Sequence, residues 1–249
     1  MEDKSREYGQ QFMNLPHDVV VLPSGGKFYK NKKKAVKVGY LTASDENILL
    51  GGGVDDITYT LLRNKIYEPD IKIEEMVDGD IEAILIFLRT TSFGPEIELT
   101  LTDPATKKPF TTVVRIDELD IKKTQVEPNE DGTFNTTLPK SGDQVKLKIL
   151  SYGESNEIQK ILDSYPQGRI PPKITLTLQR HIVELNGSTD KGDIAKYVET
   201  MPIADSKYIR NFISENEPRL DMRKIVIAPS GEKLTVNVGF GVEFFRPFF

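Results

Sequence analysis

Apolar residues alternate with polar ones in some stretches of this chain and recur at helical spacing in others, and the two periods take turns. Val19, Val20, Val21 and Leu22 form an apolar run, a turn falls at Pro23-Ser24-Gly25-Gly26, and Val36, Val38 and Tyr40 then alternate with Lys37 and Gly39. Period-two alternation of this length predicts a half-buried strand, so a strand pair is expected here. Thr42 and Asp45 have capping-box spacing before Ile48, Leu49 and Leu50. Asp55 and Asp56 then place negative charge in the first turn of a second helix carrying Ile57, Leu61 and Leu62. Gly51-Gly52-Gly53 separates the two.

From Asp80 the spacing Ile81, Ile84, Leu85, Leu88 is the stripe of a helix packed on one face, with Asp80 as its cap. Ile97, Leu99 and Leu101 alternate with Glu96, Glu98 and Thr100. A turn at residues 103–108 leads to a returning strand at Thr112-Val113-Val114. Residues 127–142 are polar and rich in turn formers, and lead into a strand at Val145, Leu147 and Ile149. Ser155 is the expected cap of a helix carrying Ile158, Ile161, Leu162 and Tyr165, stopped by Pro166-Gln167-Gly168. After Pro171-Pro172, residues 174–178 and 182–185 read as a strand pair turning at Gln179-Arg180-His181.

Asp205 then precedes Tyr208, Ile209, Phe212 and Ile213, and Ile225-Val226-Ile227 is followed by Ala228-Pro229-Ser230-Gly231 and the alternating Leu234, Val236 and Val238. Residues 80–114 and this last stretch share one order: Asp-capped helix, strand, Pro-containing turn, strand. A weak internal duplication is one reading; the frequency of helix-then-hairpin units in α+β proteins is the other. The fold class is α+β, with short helices alternating with β-hairpins. The expected division is a flexible arm over residues 1–18, an α+β domain over 19–126, a hairpin-and-helix connecting region over 127–180, and a helix-plus-hairpin domain over 181–249.

Composition narrows the function. The chain has 249 residues, 38% of them apolar, and no cysteine, so disulfides, thiolate catalysis and sulfur-based zinc sites are excluded. The N-terminus is charged with no apolar run behind it, unlike a signal peptide, and no apolar run approaches the roughly 20 residues that span a bilayer. A net charge of -5 argues against nucleic acid as the main partner. The one basic cluster, Lys30-Asn31-Lys32-Lys33-Lys34, reads as a solvated hairpin tip that discourages edge pairing.

Candidate chemistry is sparse. A serine triad would need His17 or His181, and neither has a nucleophile elbow to serve; two histidines cannot make the common His-rich metal sites. Asn129-Glu130-Asp131-Gly132 lacks the alternating ligands of a calcium loop, and a helix cap explains Asp78-Gly79-Asp80 more simply than magnesium does. The glycines of residues 22–29 have no phosphate-binding helix behind them, so no cofactor is expected. A carboxylate-only enzyme is the alternative, with 38 acidic residues and no pair marked by spacing. The last ten positions hold five of the 12 Phe residues. Such an end packs either in its own core, through Phe244 or Phe245, or on a partner, which makes Phe244, Phe245, Arg246, Pro247, Phe248 and Phe249 the candidate partner-binding residues.

Val21-Leu22-Pro23-Ser24-Gly25-Gly26-Lys27-Phe28-Tyr29, Leu41-Thr42-Ala43-Ser44-Asp45-Glu46 and Leu88-Arg89-Thr90-Thr91-Ser92-Phe93-Gly94 form an ordered series. It continues through His181-Ile182-Val183-Glu184-Leu185-Asn186-Gly187, Met201-Pro202, Ile209-Arg210 and Glu243-Phe244-Phe245-Arg246-Pro247. Together these resemble the baseplate-hub subunit family of T-even-type, contractile-tailed phages over nearly the whole chain. The resemblance implies a non-enzymatic protein made in the host cytoplasm that helps the tail baseplate hub form, as a hub component or as a departing, chaperone-like assembly factor. Its implied partners are other hub proteins or the tape-measure protein, with no nucleic acid and no membrane. Some relatives carry Cys-Pro-x-Cys-like knuckles between paired strands. Here the matching turns are Asp103-Pro104-Ala105-Thr106 and Ala228-Pro229-Ser230-Gly231, so no metal is expected and ordinary backbone bonding should hold them.

Overall fold

The computed structural model describes residues 16–51, 54–122, 124–239 and 244. The fold is α+β, with seven α-helices and nine short antiparallel strands among the described residues. The chain opens with a hairpin, β1 (His17–Val21) and β2 (Ala35–Gly39), followed by α1 (Ala43–Gly51) and α2 (Val54–Lys65). A short 3-10 turn (Ile73–Glu75) leads into the long α3 (Asp78–Phe93) and a second hairpin, β3 (Glu96–Thr102) and β4 (Pro109–Arg115). The order then starts again: β5 (Thr133–Thr137), β6 (Gln144–Lys148), α4 (Tyr152–Asp163), α5 (Lys173–His181), β7 (Ile182–Leu185), α6 (Lys191–Thr200), α7 (Ile203–Asn216), β8 (Arg223–Ile227) and β9 (Lys233–Asn237).

The recurrence extends to bonding. In the first half Val38 of β2 bridges Ile66, the residue just past α2; in the second, Leu147 of β6 pairs with Ile182, the residue just past α5. Each half therefore consists of a hairpin, two helices whose exit pairs with the hairpin, a long helix, and a closing hairpin. The shared order read in residues 80–114 and in the last stretch thus recurs over both halves, from β1 to β4 and from β5 to β9. The second repeat adds β7 as a full strand and α6 as an insertion.

Alternation decides which face each strand buries. Val20, Val36 and Val38 are buried while Val19 and Val21 face out, and Ile81, Ile84, Leu85 and Leu88 seat α3 as its stripe predicts. One apolar cluster runs from Val20 to Phe244 and includes residues of both repeats. The division expected at 180/181 is crossed by α5, and β7 pairs with β6, so the connecting region and the last stretch share one sheet.

Four expectations need correcting. Residues 173–181 form a helix, not a strand, because Leu178 and His181 are buried three residues apart on one side while Ile174 is half exposed. Helix α4 is capped by Ser151 rather than Ser155. Its hydroxyl accepts from Glu154 N at 3.3 Å, and the Glu154 carboxylate accepts from Ser151 N at 3.2 Å, a complete capping box. Strand β5 and helix α6 lie where no element is expected. Asp80 and Asp205 cap nothing: the N-caps are Val77 and Pro202, and each Asp occupies the third helical position with a different task. Gly52 and Gly53, expected as a helix break, lie outside the described residues, as do residues 1–15 of the expected arm; residue 17 already belongs to β1.

Candidate binding seam between the repeats

Residues 22–34 form a closed loop rather than an open tip. Leu22 N donates to the Lys34 carbonyl at 2.9 Å, and Gly25 and Gly26 turn the chain at φ 58 and 76. Gly26 is required there, since a Cβ would stand 2.5 Å from the Lys32 carbonyl oxygen. The fully buried Asp80 holds the loop from α3. Its carboxylate accepts Ser24 N at 2.8 Å, Ser24 Oγ at 2.5 Å and the Tyr29 hydroxyl at 2.5 Å, while Tyr29 Oη accepts Val77 N at 3.1 Å. Burial raises the Asp80 pKa against these donors, and burial together with the neighbouring Asp80 raises that of Tyr29. The second repeat uses the same device: buried Asp205 accepts Lys140 N at 2.7 Å and Ser141 N at 3.0 Å from the β5–β6 turn.

The basic cluster is exposed at Lys30, Asn31, Lys32 and Lys34, as a solvated tip would be, but two of its lysines also bind other segments. Lys33 pairs with Glu68 and with Asp70, the latter at 2.7 Å, and Lys32 Nζ donates to the Glu130 carbonyl at 2.7 Å. Lys27 pairs with Glu127 at 2.6 Å, and Phe28 lies against Phe134 with ring centroids 6.1 Å apart. The loop therefore clasps the entry of the second repeat. Behind it, Lys122 N donates to the Arg219 carbonyl and Asp221 N to the Asp120 carbonyl, and a strand-like bridge joins Ile121 to Leu220. Asn216, buried at the end of α7, accepts Gln125 N at 3.0 Å and Val126 N at 2.7 Å. Between these segments lies a cavity of about 300 Å³ walled by Pro23, Phe28, Ile121, Pro128 and Pro218.

The two closing hairpins meet at their turns. Asp103 is buried; its carboxylate accepts Ala105 N at 2.9 Å and Thr106 N at 3.2 Å within its own turn, and Ser230 N of the other turn at 3.0 Å. A side-chain carboxylate thus supplements the backbone bonding expected there. Among the described residues, no group of three or more His, Cys, Asp or Glu is disposed to hold a metal ion.

The remaining candidates are scattered. His181 is buried with Nδ1 at 2.9 Å from the Lys148 carbonyl, and burial lowers its pKa. His17 sits on β1 with its ring edge-on to Tyr67. Phe244 belongs to the chain's own core, 4% exposed, and Phe245 to Phe249 lie outside the described residues. Sequence reasoning missed the outward apolar pairs Val19 with Val21 and Ile225 with Ile227, each more than 60% exposed on a hairpin strand. Their signal was the unbroken apolar runs 19–22 and 225–227, too apolar for strands with one wet face. No helix among the described residues is long and apolar enough to cross a membrane.

The family model described as T4 bacteriophage base plate protein matches residues 16–230. No curated protein and no solved structure shows a significant match.

Proposed function

The chain belongs to the T4 bacteriophage base plate protein family, and from that premise we propose that it is a baseplate hub subunit or hub assembly factor acting by protein–protein binding. Membership implies a structural or assembly role on the virion tail, among other tail proteins. The finer reading rests on the exposed rows Val19 with Val21 and Ile225 with Ile227. Apolar side chains held out from edge strands are suited to covering by another protein, whether a hub protein or the tape-measure protein. No chemistry is assigned to the chain: His181 is occupied by a backbone carbonyl, and the buried carboxylates Asp80, Asp103 and Asp205 hold turns.

The test is affinity capture of the tagged protein from infected cells, which is expected to retain hub proteins. The Val21→Lys and Ile225→Lys variants should keep a folded circular dichroism spectrum and lose those partners. Truncation after Phe244 measures separately what the Phe-rich end adds. Presence of the chain in purified mature tails identifies a resident subunit, and absence a departing assembly factor. Capture that retains no tail protein overturns the reading.

A further inference from the structure

The two repeats come into backbone contact where the first turn of α3 meets the segment leaving α7. Gly79 makes the approach possible, because a Cβ at that position would stand 1.9 Å from the Pro218 carbonyl oxygen. The approach gathers Asp78 and Glu82 of α3 with Glu217 and Arg219. Arg219 reaches a Glu82 oxygen at 3.3 Å and a Glu217 oxygen at 3.5 Å, and Asp78 accepts the Ser155 hydroxyl of α4 at 2.9 Å. Lys122, on the linker after β4, flanks the group but donates to the Ser214 carbonyl. One guanidinium therefore faces three carboxylates. Glu82 Oε2 and Arg219 Nε are buried without a hydrogen-bond partner among the described residues.

Three ionised carboxylates in this part-buried seam outnumber the Arg219 guanidinium and the flanking Lys122 ammonium, so one negative charge is left uncompensated. We propose that this seam is a proton-dependent latch between the two repeats: a proton held among Asp78, Glu82 and Glu217 keeps α3 seated on residues 217–219, and its loss lets the repeats part. The titration of the group agrees in direction. Burial raises all three carboxylates, and Glu82 is pushed up to about 7, with Arg219 opposing and Glu217 and Asp78 adding to the rise. A carboxyl group whose pKa is higher folded than unfolded stabilises the fold most at low pH. For Glu82 that contribution is complete below its ordinary 4.5 and disappears as pH climbs through about 7. Above neutrality the latch is therefore weakened.

A chain without cysteine accepts site-specific labels cleanly. Asn47→Cys on α1 and Glu199→Cys on α6 place a spin label on an exposed helix position of each repeat. Pulsed electron resonance should give one narrow distance distribution at pH 6 and a second, longer population at pH 8.5. With Glu82→Gln added, the distribution should stay narrow at both values, and Glu217→Gln should act in the same direction. In parallel, the melting temperature of the unlabelled protein should fall by roughly 5 °C between pH 6 and pH 8.5, and that of Glu82→Gln should not. Identical wild-type distributions at the two pH values overturn the latch whatever the variants do. So does broadening at pH 8.5 that persists in both Gln variants.

Discussion

The two repeats anchor the tip of their first hairpin in the same way, with an Asp at the third position of the long helix, yet the anchors carry different loads. Asp205 receives two backbone N–H groups from a short turn, whereas Asp80 receives one N–H and two hydroxyls from a loop twice as involved. The short turn of the second repeat bonds within its own repeat, to Asp205 of the long helix, Tyr197 of α6 and Asn186. The long loop of the first repeat is held by Asp80 at its base and so presents Lys27, Phe28 and Lys32 to the other repeat. A shared fastening has thus been extended, in one copy, into the clasp that joins the two.

The largest effect should come from removing these anchors. Each buried donor left without an acceptor costs about 1–3 kcal/mol. Asp80→Ala strands three donors and should cost on the order of 4 kcal/mol in urea unfolding, against about 3 kcal/mol for Asp205→Ala. The difference between the repeats should also show in hydrogen exchange. Asp80→Ala should release Lys122 N and Asp221 N, which lie in the seam, while Asp205→Ala should leave both protected. Equal release by the two variants would mean that the clasp does not depend on its anchor.

The position before each anchor sharpens the contrast. Gly79 and Ala204 are both second in their helices, but Gly79 lies under the Pro218 carbonyl and Ala204 is exposed. Gly79→Ala should therefore destabilise by roughly 3 kcal/mol despite the better helix propensity of alanine, because backbone must move to admit the methyl group. Ala204→Gly should cost only the propensity difference, about 1 kcal/mol. Equilibrium unfolding of the two variants measures both. A neutral Gly79→Ala would show that the repeats are not packed backbone to backbone at this point.

Much of the fold was legible because period and packing agree. The stripe from Ile81 to Leu88 and Ile209 with Ile213 report the face that is buried, and the alternation in Ile97, Leu99 and Leu101 reports the half-buried face of β3. Residues 173–181 misled because Ile174, Leu176 and Leu178 alternate with threonines as a strand would, while burial follows Leu178 and His181 around a helix. Helix α6 was readable in Ile194, Val198 and Met201 behind Asp190, whose side chain caps it by accepting Asp193 N. The seam was beyond local patterns. Asp80 looked like a cap because acidic residues favour helix starts, and nothing near it in sequence says that its partners are Ser24 and Tyr29.

The smallest effects separate the caps of the equivalent helices α1 and α4. Ser151 Oγ accepts a backbone N–H in α4, so Ser151→Ala removes a capping bond and should lower stability by about 1 kcal/mol. In α1 the roles are turned around. Thr42 donates through both its N–H and its hydroxyl to Asp45, at 2.6 and 2.7 Å, and that buried carboxylate also binds Lys65 at 2.5 Å. Thr42→Ala therefore leaves the carboxylate with two of its partners and should cost about half as much. The order reverses at the acidic partner. Asp45→Ala leaves the ammonium of a buried Lys65 unpaired, whereas Glu154→Ala frees Lys148 at a part-exposed site where water can solvate it. Unfolding midpoints in which Thr42→Ala costs more than Ser151→Ala would show that hydroxyl capping, and not the buried ion pair, fixes the start of α1.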